Sequence, residues 1–178
     1  KRVLELGAGT GLCSLAAAAR GAKVIATDYR PEPLSLLRRA VDLNQERLAV
    51  PLAVHCELFD IVADKPLPAP GPVDVLVAAD ILYFRHTAVA LAKRCVAALS
   101  EGCQTVLVGD CNRPGRPAFL KTLREAGVTA ETARFHSTHG WSAGTARHDL
   151  ISSYGDGEPC RVHVGLLTLR SKDLPAFQ

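Results

Sequence analysis

The feature that most constrains this chain lies in its first twelve positions. A short apolar run, Arg2–Leu6, passes through Glu5-Leu-Gly7-Ala-Gly9-Thr-Gly11 and directly into a helical pattern with Leu12, Leu15, Ala16 and Ala19 as its predicted stripe. Glycines at alternate positions let the backbone turn tightly and let a ligand approach without a Cβ in the way. A strand that ends in such a turn and leads into a helix opens a parallel βαβ unit. The next apolar run, Ala22–Thr27, ends at Asp28. That spacing, about 20 residues beyond the turn, suits a carboxylate that bonds a ribose.

The alternation continues. Pro31 suits the first turn of a helix running to about Gln45, with Leu34, Leu37 and Val41 on one face. Strands are predicted at Leu52–Cys56, Val73–Ala79, Gln104–Gly109, Val128–His136 and Arg161–Leu169. Helices are predicted over 86–100, with Ala88, Leu91, Ala92, Cys95 and Leu99 in register, and over Arg116–Ala126. Lys65–Pro72 holds four prolines and must be loop. The 73–79 run barely alternates in polarity, as expected when both sheet faces are covered. Such a pattern gives a Rossmann-like α/β fold with a mostly parallel sheet and helices on both faces. The last two strands follow each other with no helix between, so they are expected to pair antiparallel at one edge. No linker or repeat interrupts the pattern, and 1–178 reads as one domain.

Composition closes several other routes. Hydrophobic residues make up 48% and charged residues 22% of the chain, which is a globular balance. No apolar run approaches the ~20 residues of a membrane span. Twenty-one basic against eighteen acidic residues give a net charge of +3, without a basic run beyond Arg38-Arg39, so no nucleic acid is expected. The six cysteines (13, 56, 95, 103, 111 and 160) contain no CxxC pair and read as reduced thiols. His136 and His139 have no third ligand nearby, so no metal is expected. Neither a Gly-x-Ser-x-Gly elbow nor a Walker phosphate loop occurs. The chain has no Met and opens at once on a strand, so the expectation is a piece lacking its natural N-terminal segment. A transit peptide, and with it a mitochondrial or plastid address, would lie there; otherwise the expected compartment is the cytoplasm.

Which ribose Asp28 serves is a question of charge. A nicotinamide or flavin site has Gly-x-Gly-x-x-Gly, but position 12 is Leu and the third glycine is at 11. A dinucleotide also places its pyrophosphate at the helix N-terminus, where Glu5 is unwelcoming. S-adenosylmethionine carries a sulfonium and an ammonium and no phosphate, so Glu5 becomes favourable. Charge complementarity selects S-adenosylmethionine.

Glu5-x-Gly7-x-Gly9-x-Gly11 and Asp28 together resemble the first two motifs of the class I (seven-β-strand) methyltransferases. Asp80-Ile-Leu-Tyr83, after the 73–79 strand, resembles the Asp-x-x-Tyr motif of the branch that holds many protein-lysine methyltransferases. Gly109-Asp110-Cys-Asn-Arg113-Pro-Gly-Arg116 is similar to the Gly-Asp-Pro-Gly-Arg segment of lysine methyltransferases acting on an electron-transfer flavoprotein subunit, with Cys-Asn-Arg interposed. The resemblance implies a seven-stranded sheet with an antiparallel last strand. It implies Glu5, Gly7, Gly9 and Gly11 around the methionine part of the cofactor, Asp28 on the ribose and Asp60 by the adenine. It also implies Ala79 at the mouth, with Asp80 and Tyr83 facing the acceptor. Helix capping by Asp80 and a core position for Tyr83 are the plain alternatives. Arg113 and Arg116 read either as contacts for an acidic protein patch or as solvated loop residues. The expected activity is methylation of a lysine on a protein substrate by a monomeric enzyme. A small nitrogen acceptor of the nicotinamide type, or a cofactor-binding domain without catalysis, are the alternatives.

Overall fold

The computed structural model describes residues 1–137 and 164–174. In chain order the elements are β1 (Arg2–Leu6), α1 (Leu12–Ala19), β2 (Lys23–Asp28), α2 (Pro31–Leu48), β3 (Val54–Leu58) and β4 (Val75–Ala79). There follow α3 (Arg85–Ser100), β5 (Thr105–Asp110), α4 (Arg116–Glu125), β6 (His136–Ser137) and β7 (Gly165–Arg170), with a closing 3₁₀ turn at Ser171–Asp173. The strand order is β3-β2-β1-β4-β5-β7-β6. Pairs among β1 to β5 are parallel, and β7 runs antiparallel to β5. The sheet body is six strands of five or six residues. β6 is a two-residue bridge on the outer edge, antiparallel to β7 through His136–Leu166 and Ser137–Gly165.

The register sorts the side chains into two cores. Leu4, Leu6, Leu76, Ala78, Val106, Val108, Leu167 and Leu169 share one face and pack with α3 and α4 through Leu91, Ala92, Cys95, Phe119 and Leu123. Val3, Val24 and Ala26 share the other face and pack with Ala18 of α1 and with Leu37 and Val41 of α2. The predicted stripes of α2 and α3 are buried as read.

Several expectations need correction. α1 turns Ser14 and Ala18 inward and leaves Leu12 80% exposed, so its buried stripe is made of small residues, not Leu12, Leu15, Ala16 and Ala19. β4, in contrast, is covered on both faces, as its unalternating sequence implies: Leu76 and Ala78 are buried in one core, and half-buried Val75 and Val77 pack against the other. β3 starts two residues late because Gln45 Oε1 accepts the Leu52 N–H at 2.8 Å and holds that segment to the end of α2. Residues 128–135 are not a strand. Val128 and Ala133 are buried, but the Thr129 hydroxyl and carbonyl close a turn over Thr132 and Ala133. Thr, a strand former by propensity, here satisfies local backbone instead. Of the 161–169 prediction, Arg161–His163 lie outside the described residues, as does Cys160.

Gly11 shows how the first turn meets the core. It adopts φ +84°, and a Cβ there would lie 2.1 Å from Leu37 Cδ1. At Gly9 (φ +53°) a Cβ would meet nothing within 4 Å. A left-handed non-glycine residue costs about 1–2 kcal/mol, and overpacking about 1–3 kcal/mol more. Gly11→Ala is therefore expected to lose about 2–5 kcal/mol of stability and Gly9→Ala about 1–2 kcal/mol. Urea denaturation with unchanged m-values reads the difference; equal losses would refute this account of the turn.

Candidate active site

The carboxyl ends of β1, β2 and β4 and the loop after β3 enclose a cavity of about 920 Å³, within the range of small-molecule sites. Gly7, Ala8, Gly9 and Thr10 form one wall, and Asp28 and Tyr29 the next. Asp60, Ile61 and Val62 form a third, and Ala79, Asp80 and Tyr83 a fourth. Among the described residues its lining holds three carboxylates, Asp28, Asp60 and Asp80, and neither lysine nor arginine.

Asp28, the last residue of β2, is buried. Its Oδ2 accepts the Gly9 N–H at 3.0 Å and its Oδ1 the Arg30 N–H at 3.0 Å, so the carboxylate is fixed from both sides. Each oxygen keeps a lone pair for a ligand hydroxyl. Asp60 is exposed in a turn of its own, with Oδ1 accepting the Val62 N–H at 2.9 Å. Arg94 of α3 fastens that loop by donating to the carbonyls of Ile61, Ala63 and Lys65.

Glu5 and Gly11 stand behind the cavity wall and do not line it. Glu5 is 2% exposed and accepts the Ser14 hydroxyl of α1. Burial pushes its carboxyl above the usual range, against the opposing effect of the Ser14 bond. The neighbouring Cys13 thiol is pushed up to about 11, chiefly by burial. A buried carboxyl turned toward a hydroxyl is poorly placed to attract a cationic ligand. The preference argued from Glu5 instead falls to Asp28 and Asp60, which face the cavity, since Asp80 is paired with Arg113. Gly7, Gly9 and Ala79 do line it.

Asp80 follows β4 with φ +55°, a left-handed conformation that Asp tolerates better than most residues. Its N–H donates to the Gly109 carbonyl at 2.8 Å. Its Oδ1 accepts Arg113 Nε at 2.7 Å and Cys111 Sγ at 3.1 Å. Its Oδ2 accepts Arg113 Nη2 at 2.6 Å and the Tyr83 hydroxyl at 3.0 Å. The Arg113 bond, first among these effects, holds the Asp80 carboxyl down at about 2. Burial, with a contribution from Asp80, pushes the Tyr83 hydroxyl and the Cys111 thiol up. Asp80 is no helix cap, since α3 begins only at Arg85 with Phe84 at its N-cap. Tyr83 is 45% exposed and is no core residue.

Neither Arg113 nor Arg116 is a solvated loop residue or a free docking charge. Arg113 forks onto Asp80 and lies over the Tyr83 ring, 4.3 Å from its centroid. Arg116 Nε bonds Asp110 Oδ2 at 2.5 Å, and its guanidinium lies over Phe135. Asp110, 1% exposed, also accepts the Asn112 and Arg113 N–H groups. Gly115 fits where a Cβ would come within 2.6 Å of the Leu82 carbonyl, and its N–H donates to that same oxygen. The loop after β5 is thereby fastened to the loop after β4.

Sequence reasoning did not single out Tyr29, Ile61, Val62 or His86 for the lining, nor Cys111 for the Asp80 cluster. Tyr29, directly after the strand-ending Asp28, carried the clearest signal; the others depend on how loops fold back. His139 lies outside the described residues. Among the described residues no group of three or more His, Cys, Asp or Glu could hold a metal ion, and the five cysteines are free thiols. No described helix is long and apolar enough to cross a membrane.

Comparison with known proteins places the chain in a family. The chain is 36% identical over 131 residues to protein N-lysine methyltransferase METTL21A of Danio rerio, covering 70% of this chain and 56% of that protein. It is 39% identical over 85 residues to protein-lysine methyltransferase METTL21E of Mus musculus, covering 47% of this chain and 34% of that one. The matched part thus spans about half or less of these relatives' length. Among solved structures, magnesium protoporphyrin IX methyltransferase (ChlM) from Synechocystis PCC 6803 with bound SAM superposes with a TM-score of 0.58 at 16% identity. That match covers 94% of this chain and 69% of the other and establishes the shared Rossmann-like methyltransferase fold. The family model described as lysine methyltransferase matches residues 1–126, and the chain belongs to that family.

Proposed function

We propose that the chain is an S-adenosylmethionine-dependent N-methyltransferase whose acceptor is a lysine side chain on a protein. The observation that carries this reading is the lining of the cavity: among the described residues it offers the unpaired carboxylates of Asp28 and Asp60 and no lysine or arginine, beside an open position at Gly9. That surface suits a cationic nucleoside and disfavours a pyrophosphate. Family membership and the two lysine-methylating relatives support the acceptor. In the same reading the short β6 is the seventh strand of the family's sheet, and 1–178 is one methyltransferase domain.

S-adenosylmethionine, when bound, supplies a methyl group on a sulfonium sulfur, open to displacement by a nitrogen lone pair. The chain's residues hold and orient. Gly7 to Thr10 leave room for the amino-acid part, with Glu5 and Gly11 shaping that turn from behind. Asp28 takes the ribose hydroxyls on its remaining lone pairs, and Asp60 with Val62 borders the adenine. Beyond Ala79, Asp80 fixes the Tyr83 hydroxyl at the mouth. Fixing the reacting atoms in line is worth roughly 7–11 kcal/mol of barrier in favourable cases. Tyr83, Phe84 and Tyr29 are 45%, 64% and 66% exposed. This open aromatic rim fits a side chain presented on a larger surface.

Asp28→Ala should weaken S-adenosylhomocysteine binding about 10–100-fold, the worth of one or two hydrogen bonds to a charged group. Calorimetry reads this directly, and NADH binding as tightly as the nucleoside would overturn the cofactor assignment. Asp80→Ala should slow methyl transfer about 100-fold, the scale of a misplaced positioning group, while leaving nucleoside affinity nearly unchanged. Transfer of tritiated methyl from S-adenosylmethionine to a cell lysate tests the acceptor. Label confined to the dialysable fraction would exclude protein lysine.

A further inference from the structure

The carboxylate on the acceptor side of the cavity is already paired, from behind the lining, with a cation belonging to the chain itself. An ionised carboxylate offers about four lone-pair sites. At Asp80 all four are filled, by Arg113 Nε and Cys111 Sγ on one oxygen and by Arg113 Nη2 and the Tyr83 hydroxyl on the other. The ring of Tyr83, the other group suited to a cationic head, carries the Arg113 guanidinium 4.3 Å from its centroid. Arg113 Nη2 also donates to the Tyr83 hydroxyl at 3.0 Å. An incoming ammonium therefore meets a paired charge and a covered ring.

Arg113 is also held in place from its backbone. Its N–H donates to buried Asp110, which Arg116 grips from the next turn. Two residues on, Gly115 is bonded to the Leu82 carbonyl. A guanidinium forked onto a carboxylate is rigid and stays charged throughout the physiological range. Displacing it would break two charge-assisted bonds and a stacked contact, and the substrate's single ammonium offers no fork in exchange.

We propose that Arg113 is a specificity-determining positioning residue, which neutralises Asp80 so that the acceptor subsite takes the uncharged amine in preference to the ammonium. This rests on the lysine-acceptor reading and adds the form in which lysine is accepted. A free lysine has a pKa near 10.4, so at neutral pH most of it carries a proton where the lone pair is needed. A lone Asp80 carboxylate would deepen that obstacle by stabilising the ammonium. Paired with Arg113 it gives no such help to the charged form, and desolvation against Tyr83 then favours the amine. The other titratable or charged groups around this point are His86 and Tyr83 on the cavity side, and Cys111, Asp110 and Arg116 behind.

The test uses the chain saturated with S-adenosylhomocysteine, as wild type, Arg113→Gln and Arg113→Lys. Binding of N-α-acetyl-lysine amide and of its uncharged isostere N-α-acetyl-2-aminoheptanoic acid amide, with a methyl in place of the ammonium, is followed at pH 7 by NMR titration. Wild type should bind the two within about threefold of each other, and Arg113→Gln should favour the lysine compound about tenfold, the effect of one unpaired carboxylate near a cation. Arg113→Lys keeps the charge and should behave like wild type, which separates charge from loss of structure. With S-adenosylmethionine and the same lysine amide, the acid limb of kcat should move up by about one pH unit in Arg113→Gln, because kcat reports ionisations of the bound complex. A tenfold preference of wild type for the cation, or a uniform change in rate with no shift of the limb, would overturn the proposal. So would failure of all three proteins to bind either compound. If the binding preferences change as stated while no lysine is methylated, the charge-neutral subsite stands and the lysine-methyltransferase reading falls.

Discussion

One hydrogen bond joins the two halves of the nucleoside side of the cavity. The Gly9 N–H, in the turn after β1, donates to Asp28 at the end of β2. It pins a glycine turn that has no side chains to hold it, and it aims the carboxylate along the cavity wall. Parallel pairing of β1 with β2 brings these groups within reach, with Leu6 opposite Thr27 and both strands ending at the same level. The buried Thr27 hydroxyl donates to the Glu5 carbonyl, and the Ala8 N–H to the Thr27 carbonyl. The turn is therefore stitched to its neighbour strand over four residues, and a ligand resting on it meets a preformed surface.

The electrostatics of the site divide along the same line. Glu5 carries the charge in the sequence motif, yet its side chain is spent on fastening α1 to β1 through Ser14. A carboxyl buried to this extent pays a large desolvation cost when ionised, and its upward shift follows from that. The negative field felt inside the cavity comes from Asp28 and Asp60, since Asp80 is matched by Arg113. Negative charge facing the cavity is thus concentrated at Asp28 and Asp60 and close to cancelled at Asp80. That gradient suits a resident cation deep in the cleft and a neutral nucleophile at its mouth.

What could be read from the chain beforehand follows the range of the forces involved. The order of strands and helices, the buried stripes of α2 and α3, and the glycine turn with Asp28 were all legible, because each is a local pattern of polarity or backbone freedom. The failures were competitions decided elsewhere. Leu12 looks like core, but α1 turns Ser14 and Ala18 inward, with Leu15 and Ala17 half-buried beside them, and leaves Leu12 exposed. Val128 to Thr132 looks like a strand, but a threonine hydroxyl closes a turn first. The pairing of Arg113 with Asp80 spans 33 positions, and no local pattern announces it.

The loop after β5 shows why that pairing has consequences beyond itself. Its sequence places one acid before two bases, Asp110, Arg113 and Arg116, and the structure divides the two arginines between two aspartates. Arg116 closes back on Asp110 within its own loop, a pair with the carboxylate fully buried, so removing either member would strand a buried charge. Arg113 crosses to Asp80 on the neighbouring strand's loop, a pair left partly open to solvent, where water screens the coupling while the two-bonded fork holds the geometry. The buried pair fixes the loop, and the open pair delivers a cation to the mouth of the site. A chain that kept Asp80 and Tyr83 but lost Arg113 would keep the motif and change the charge at the acceptor position. The Asp-x-x-Tyr signature alone therefore does not define the acceptor site; its electrostatic character is set by a residue three positions past the next strand.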